Sequence, residues 1–324
     1  MIDRRTLLSF LAASVFFGGT FVGAKAGLEY FPPLLFVALR FDVAAVALAG
    51  YVVLTRSRAE LVPRTRADVV GIVATGLLAI GLTNSLLFVG QQYVTSGVAA
   101  IIASLNPVLT PVFAALLLSD ERLSARGVAG MLLALAGVVL VASPDPSNLL
   151  AGDIVGKVVL FAGATSGALG AVMIRWADAD LSSTVRTAWG LPLGALLAHA
   201  LSRGAGESAA DIAWTPEGVA ALAFVALFAA ALAYIAYFGL IDDVGAIRAN
   251  LVFYVVPVVA TVGGWALLGE TVAPPALVGF AVITAGFAVI GSESVDLPSL
   301  SRAALTDGGT DRQSEDGPTA CRSD

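Results

Sequence analysis

Residues 94–108 read VTSGVAAIIASLNPV, and residues 244–258 read VGAIRANLVFYVVPV. The two stretches align without a gap, so that Pro107 falls on Pro257, 150 positions further along the chain. The match continues downstream, where Asp120-Glu121 pairs with Gly269-Glu270, Gly130 with Gly279, and Ala136-Gly137 with Ala285-Gly286. A similarity of this length indicates that the chain consists of two copies of one unit.

The composition indicates that both copies lie in lipid. Hydrophobic residues make up 58% of the chain and charged residues only 13%, and the mean hydropathy is +0.89. A soluble globular domain carries about 25% charged residues. Apolar stretches suited to crossing a bilayer occur at about 7–28, 33–54, 69–90, 96–118, 127–143, 152–174, 184–202, 216–241, 245–268 and 275–291. We therefore predict an all-α polytopic membrane protein with ten transmembrane helices.

Five spans in each copy, an odd number, would place the copies in the membrane with opposite orientations, as in many secondary transporters. We assign the first five-helix repeat to 1–143 and the second to 144–291. The remaining residues, 292–324, hold seven acids and three arginines. We predict that they form a disordered acidic cytoplasmic tail.

The loops predict the topology, because cytoplasmic loops collect Lys and Arg. With the N-terminus inside, fourteen arginines fall on the cytoplasmic side, and little more than Arg203 and Lys157 falls outside. We therefore expect a multi-pass protein of the cell membrane with both termini cytoplasmic.

Cys321, the only cysteine, excludes an intramolecular disulfide. The sequence indicates no cofactor, metal or nucleic-acid partner, and it leaves a homodimer open.

The two copies of the repeat resemble the drug/metabolite transporter superfamily, and specifically its EamA type with two tandem repeats. The stretches that carry the resemblance are Phe17-Gly18-Gly19-Thr20-Phe21-Val22, Phe31-Pro32-Pro33, Ala38-Leu39-Arg40-Phe41, Asn106-Pro107-Val108, Gly245-Ala246-Ile247-Arg248-Ala249, Asp120-Glu121 and Gly269-Glu270. The resemblance covers about 7–291 and implies transport of a small solute such as an amino acid, a sugar or a toxic cation. The chain departs from the family at Gly18, where a tryptophan is usual.

The strongest candidates for binding the solute lie beside prolines near the middle of equivalent spans. Asn106 is about ten residues into the fourth span, or about 15 Å deep, and Pro107 removes a backbone hydrogen bond there. Asn250 and Tyr254 precede Pro257 in the ninth span. Interrupted helices that meet near the midplane form the sites of many transporters. The alternative for these polar residues is hydrogen bonding between helices.

Charged residues within the spans are candidates because an ion in lipid is costly. Arg40 lies about 10 Å into the second span. It either contacts a solute anion or forms a structural pair with Glu29 or with helix-end carbonyls. Asp42 either pairs with another helix or carries a coupling proton. Lys25, near a span end, is expected to snorkel to the headgroups.

Weaker candidates for solute binding are Asn84, Trp189, Tyr234 and Tyr237, for which helix packing is the alternative. His199, the only histidine, is interpreted as an interface residue near a span end. The main hypothesis is a secondary transporter that works by alternating access, with a coupling proton or ion left open. The alternatives are a channel and an intramembrane serine protease built on Ser166 and His199.

Overall fold

The computed structural model of the chain describes residues 4–118, 125–142, 152–234, 236–237, 240, 252–286 and 288–289. All regular structure within these residues is helical. The helices are α1 (Arg4–Gly27), α2 (Pro33–Thr55), α3 (Arg66–Gln91), α4 (Ser96–Leu117), α5 (Ala125–Ala142), α6 (Gly152–Ala177), α7 (Ser183–Gly204), α8 (Pro216–Leu232), α9 (Val252–Leu268) and α10 (Pro274–Gly286), with a short helix at Arg58–Leu61 and a 3-10 turn at Ala209–Asp211. The prediction of an all-α fold is confirmed.

Five helices, α1, α2, α3, α4 and α6, are long and apolar enough to cross a bilayer. The other helices are shorter or, as in α7 with Arg186 and His199, more polar. The number of ten spans therefore stays a prediction, although the helix starts and ends agree closely with the predicted stretches. The predicted end of the eighth span and start of the ninth fall partly outside the described residues. The predicted tail, 292–324, lies wholly outside them.

Helix starts are set by side chains that accept hydrogen bonds from the first-turn N–H groups, which have no partner within the helix. Thr65 and Asp68 form a complete capping box at the start of α3. Thr95, Ser182 and Thr215 accept equivalent bonds at the starts of α4, α7 and α8. These polar residues end the apolar runs and fix where each helix begins.

Helices of the two copies interleave in a reciprocal pattern. α1 packs on α8 and α9 of the second copy, and α6, the equivalent of α1, packs on α3 and α4 of the first. α2 packs on its own equivalent α7; α2 also contacts α8, as α7 contacts α3. These contacts between the copies come in mirror pairs, as a two-fold axis produces. The copies therefore form one pseudo-symmetric body.

The last helices of the copies, α5 and α10, run antiparallel and touch through glycines. A Cβ at Gly137 would lie 2.7 Å from the carbonyl oxygen of Gly279, and a Cβ at Gly286 would lie 2.5 Å from that of Gly130. Only glycine permits this approach of the backbones. Because equivalent helices point in opposite directions, the pseudo-two-fold axis is perpendicular to the helices, and the repeats are inverted as predicted.

Both copies contain a π-helical segment at the same place. In α3 it covers Ala74–Leu82 and in α8 it covers Phe224–Leu232, 150 positions later. In each case a hydroxyl from the first helix of the other copy donates to a carbonyl of the segment: Ser166 to Leu78 at 3.0 Å and Thr20 to Ala229 at 3.4 Å. π-helical turns occur frequently at functional sites.

Acids join the copies at the starts of α2 and α7. The Glu207 carboxylate accepts from the N–H groups of Leu34 and Leu35, at the start of α2, at 3.1 and 2.7 Å. Asp68 accepts from the N–H of Leu181, just before α7, at 3.3 Å. An acid at a helix N-terminus stabilises the local positive end of the helix dipole, so α2 and α7 are each held by an acid of the opposite copy.

Candidate functional site

Arg40 is buried in the middle of the helix bundle and is only 2% exposed. Its guanidinium lies over the rings of Phe41 and Phe88, at 5.0 and 5.1 Å from the ring centroids. It also lies close enough to Tyr234 for an electrostatic interaction between the two side chains. In the described part of the chain, the Nε and Nη1 groups have no hydrogen-bond partner. The expected pair with Glu29 or with helix-end carbonyls is therefore not made by these two groups.

Such a side chain is costly for the bundle. Placing an arginine at the centre of a membrane helix costs about 2.5–3.5 kcal/mol on insertion scales. A desolvated cation–π contact contributes about 2 kcal/mol, so the rings of Phe41 and Phe88 can offset much of this cost. They leave the Nε and Nη1 groups without an oxygen acceptor, and an N–H···π contact is weaker than an N–H···O hydrogen bond. Arg40 thus keeps donor capacity inside the protein.

Four half-buried aromatic side chains form a cluster beside Arg40. Phe17, near the middle of α1, is at the centre of this aromatic cluster. Its ring lies 5.6 Å from that of Tyr234, 5.7 Å from that of Tyr237 and 5.7 Å from that of Phe253. The Tyr237 and Phe253 rings are 5.5 Å apart. The cluster joins α1 to the end of α8 and the start of α9, so it spans the boundary between the copies.

The structure places Asn106 at a break in its helix, as predicted. α4 divides into Ser96–Ala103 and Asn106–Leu117. The Asn106 side-chain oxygen accepts from the Thr110 hydroxyl at 3.3 Å. Its amide packs so closely on Gly167 of α6 that a Cβ there would collide with it. Asn106 thus joins helices of both copies, which fits the alternative of hydrogen bonding and packing between helices.

The other members of the predicted set differ in how far they are described. Asn84 donates to the carbonyl of Ile80 in its own helix at 2.8 Å and occupies the position equivalent to Tyr234. Asn250 lies outside the described residues. Tyr254 lies in α9, which is continuous through Pro257 from Val252 to Leu268, and only its backbone is described. The roles proposed for Asn250 and Tyr254 stay predictions.

Trp189 lies away from Arg40 and the aromatic cluster. It is 47% exposed, and its indole N–H donates to the Leu61 carbonyl at 2.8 Å. This contact fastens the short helix at Arg58–Leu61 to α7. The contact fits the alternative of helix packing, and solute binding by Trp189 stays a prediction.

Three ionisable residues of the spans have partners that the sequence left open. Asp42 pairs with His199 across α2 and α7, with Oδ2 and Nε2 2.9 Å apart, as expected if Asp42 pairs with another helix. The Lys25 ammonium donates to the carbonyls of Gln91 and Val94, both at 3.0 Å. Lys25 thus caps the C-terminal end of α3. The expectation that it snorkels to the headgroups was wrong, because these carbonyls are within its reach.

The serine protease alternative finds no support in these contacts. Ser166 donates its hydroxyl proton to the Leu78 carbonyl, and His199 is paired with Asp42. A nucleophile must instead lie within hydrogen-bond reach of its base. Each residue is engaged by a different partner on a different helix.

One end of the bundle, which holds Lys25 and Glu270, is closed by contacts between the copies; we call it the Glu270 end. The Glu270 Oε2 accepts from the Ser96 N–H at 2.9 Å, at the first residue of α4. Gly269, at φ +65°, turns the chain out of α9 so that Glu270 can reach this N–H. The first segment of α4 packs along α9. Glu270 therefore locks α4 of the first copy to α9 of the second.

Gly18, the departure from the family, lies against α9. A Cβ at Gly18 would lie 2.5 Å from the Cβ of Val259 and 3.0 Å from the carbonyl oxygen of Val256. A tryptophan could not be accommodated at this position without moving α9. The space that a tryptophan side chain would take is filled by the contact between α1 and α9, which brings Phe253 to Phe17.

A separate cavity of about 280 Å³ lies at the opposite end of the bundle, far from Arg40. Its lining includes Arg56, Glu60, Arg64, Asp68 and Asp180. These residues lie between α2 and the first turn of α3 and in the loop that precedes α7. The mixed charges and the loop position give it none of the features of the Arg40 site.

Comparison with known proteins agrees with this arrangement. The family model described as "EamA-like transporter family" matches residues 4–143 and 154–292. The uncharacterized transporter YyaM of Bacillus subtilis (strain 168) is 30% identical over 262 residues, covering 79% of this chain and 84% of that protein. The uncharacterized inner membrane transporter YedA of Escherichia coli (strain K12) is 29% identical, covering 86% and 87%.

A solved crystal structure has the same fold, with a TM-score of 0.58 and 22% sequence identity over 88% of this chain and 96% of the other. Two matched repeats, a helical bundle with inverted copies, and relatives named as transporters over most of their length lead to one conclusion. The chain belongs to the EamA-like transporter family.

Proposed function

We propose that the protein is a secondary transporter that moves a small metabolite across the cytoplasmic membrane by alternating access. The observation that carries this proposal is the reciprocal contact pattern of the two inverted copies. In such a body, a contact that closes one end has an equivalent that can close the other end. Two states of similar energy, each open to one side, follow from that equivalence.

The proposed solute site lies between the copies, where Arg40 meets the aromatic cluster. Phe17 is near the middle of α1, so a solute there would be about midway through the bilayer. Tyr237 and the other rings of the aromatic cluster would contact the apolar part of the solute. Asn106, at the break in the fourth span, and Asn250 and Tyr254, beside Pro257 in the ninth, are proposed to line the same passage.

The proposed orientation has both termini in the cytoplasm, which puts the Glu270 end outside. The arginine distribution along the loops supports it. No phosphate-binding loop of the P-loop type occurs in the sequence. The energy for transport is therefore proposed to come from the solute gradient, from exchange, or from a coupled proton or ion.

Counterflow in proteoliposomes tests this proposal against a channel. Vesicles containing the purified protein would be loaded with one unlabelled solute from a panel of amino acids, sugars and cationic drugs. A trace of the same labelled solute would then be added outside. A carrier should accumulate the label transiently above its equilibrium level, because the excess unlabelled solute inside competes with the label for the exit step. Uptake that never overshoots and does not saturate for any solute on the panel would indicate a channel.

A further inference from the structure

We infer that the transport site selects solutes that carry a carboxylate or a similar small anionic group on an apolar or aromatic body, with Arg40 as the anchor for the anion. This inference rests on the proposed function, since it names the class of solute for the same site. It specifies one ligand chemistry among the amino acids, sugars and cations that the family resemblance allows.

The first argument is the state of the Arg40 guanidinium. The side chain is 2% exposed, and two of its N–H groups have no hydrogen-bond partner within the described residues. Buried polar groups in native proteins are nearly always satisfied, and an exception calls for an explanation. A bound anion would supply an acceptor to at least one of these two groups, which lie on different edges of the guanidinium. Carboxylates suit arginine especially well because charged hydrogen bonds between them are short and strong.

The second argument is charge balance. No acid in the described part of the chain forms an ion pair with Arg40. Asp42, two residues along α2, is paired with His199, with its Oδ2 2.9 Å from Nε2 of the histidine. Glu207, at the start of the same helix, accepts from two backbone N–H groups. Both acids that share this helix region are therefore engaged elsewhere, and the charge of Arg40 remains available to a ligand.

The third argument is the surroundings of the charge. Phe41 and Phe88 hold the guanidinium from two sides, and Tyr234 connects it to the aromatic cluster. An anion that reached Arg40 would place its attached body against Phe17 and Tyr237. Aromatic rings pair favourably at centroid separations of about 4.5–7 Å. The site thus combines one cation with an apolar wall, and it offers no second cation within the described residues to hold a dianion.

The test compares three probes of equal shape on the purified full-length protein. The probes are 3-phenylpropionate, its amide and 3-phenylpropylammonium. Binding would be measured by calorimetry and by the ligand-induced shift in melting temperature. We expect the carboxylate to bind at least tenfold more tightly than the amide and the ammonium probe to show no measurable binding. Equal binding of the carboxylate and the amide by the wild-type protein would overturn the inference.

Variants assign the preference to Arg40. Arg40→Met should lose the tenfold preference for the carboxylate. Arg203→Met, at an exposed arginine near the end of α7, is the matched control and should bind as the wild type does. Arg40→Met should also keep or raise the melting temperature, because an apolar side chain replaces a buried charge without a partner. A fall in melting temperature with the carboxylate preference intact would make Arg40 a structural cation and overturn the inference.

The same variants separate this inference from the proposed function. Counterflow of other solutes, with no competition by 3-phenylpropionate, would leave the transporter proposal standing and reject the anion site. Binding of the carboxylate that depends on Arg40, without counterflow of 3-phenylpropionate or any panel solute, would support the anion site and reject transport.

Discussion

Replacing Glu270 by alanine should open the Glu270 end of the bundle. The Glu270 carboxylate accepts from the Ser96 N–H at 2.9 Å and so joins α9 of one copy to α4 of the other. Alanine removes the acceptor and leaves the first N–H of α4 without a partner. If the contact exists only when this end is closed, its loss destabilises the closed state and not the open one.

The size of the effect follows from the type of bond. A hydrogen bond to a charged group contributes about 1.5–3 kcal/mol, and the interaction of an acid with a helix N-terminus accounts for about 0.3–1 kcal/mol of that. We take about 2 kcal/mol for the loss. Since about 1.4 kcal/mol corresponds to a factor of ten, the equilibrium should shift about 30-fold toward the state that is open at the Glu270 end.

Cysteine accessibility measures this shift. Thr261→Cys in a Cys321→Ser background places the only thiol at the contact between α4 and α9, where the Thr261 hydroxyl lies against Gly97. The labelling rate with an impermeant thiol reagent should rise by up to about 30-fold when Glu270→Ala is added. Glu29→Gln, at an exposed acid near the same end, should leave the labelling rate unchanged.

The mirror variant sharpens the test. Glu121 is equivalent to Glu270 in the sequence repeat and lies outside the described residues. If the two acids close opposite ends, Glu121→Ala should lower the labelling rate of the cysteine at position 261. An unchanged labelling rate in Glu270→Ala, together with a lower melting temperature, would refute the gating argument. Glu270 would then stabilise both states equally.

Further predictions concern Asn106, Tyr254, the Asp42–His199 pair and Cys321. Asn106→Ala and Tyr254→Phe should reduce transport at unchanged melting temperature if they contact the solute; unchanged transport, with a loss of stability of about 0.6 kcal/mol for each hydrogen bond, would place them in helix packing. Asp42→Leu with His199→Leu should retain stability, because apolar residues of similar size often replace a polar pair without loss; loss of the pH dependence of transport would assign the pair a coupling proton. A membrane-impermeant maleimide should label Cys321 only in permeabilised cells, and full labelling of intact cells would reverse the proposed orientation.

Helix positions could be predicted from the sequence because lipid imposes one requirement along the whole chain. Each apolar run had to become a helix, since no water satisfies its backbone. The break in α4 was also predictable, because Pro107 acts on its own helix. The π-helical segments were not. Ala74–Leu82 and Phe224–Leu232 contain no proline, and each is satisfied by a hydroxyl from a helix of the other copy.

The charged residue of the candidate site was predictable from the sequence, and the aromatic residues that pack around it were not. Arg40 was found because a cation inside a span is costly. Phe17 and Phe253 were missed, since a phenylalanine in an apolar run has the same sequence pattern whether it contacts lipid, a helix or a solute. Lys25 was assigned to the headgroups because the sequence does not show which helix ends beside it. In the structure that helix is α3, and Lys25 binds the carbonyls of Gln91 at its end and of Val94 in the loop that follows.

The departures from symmetry identify where selectivity resides. The copies share the π segments and the glycine contacts between α5 and α10, although α4 is divided where α9 is continuous. In the proposed mechanism, this equivalence lets the two closed states have similar energies. The side chains at the centre are not equivalent. Arg40 is buried among aromatic rings, whereas Trp189, its equivalent in the sequence repeat, is exposed on the surface. Tyr234 likewise stands where the first copy has Asn84. A solute held between the copies therefore meets a cation and an aromatic wall from fixed directions. In the proposed mechanism these contacts stay on the same side of the solute in both states, so we expect the solute to keep one orientation.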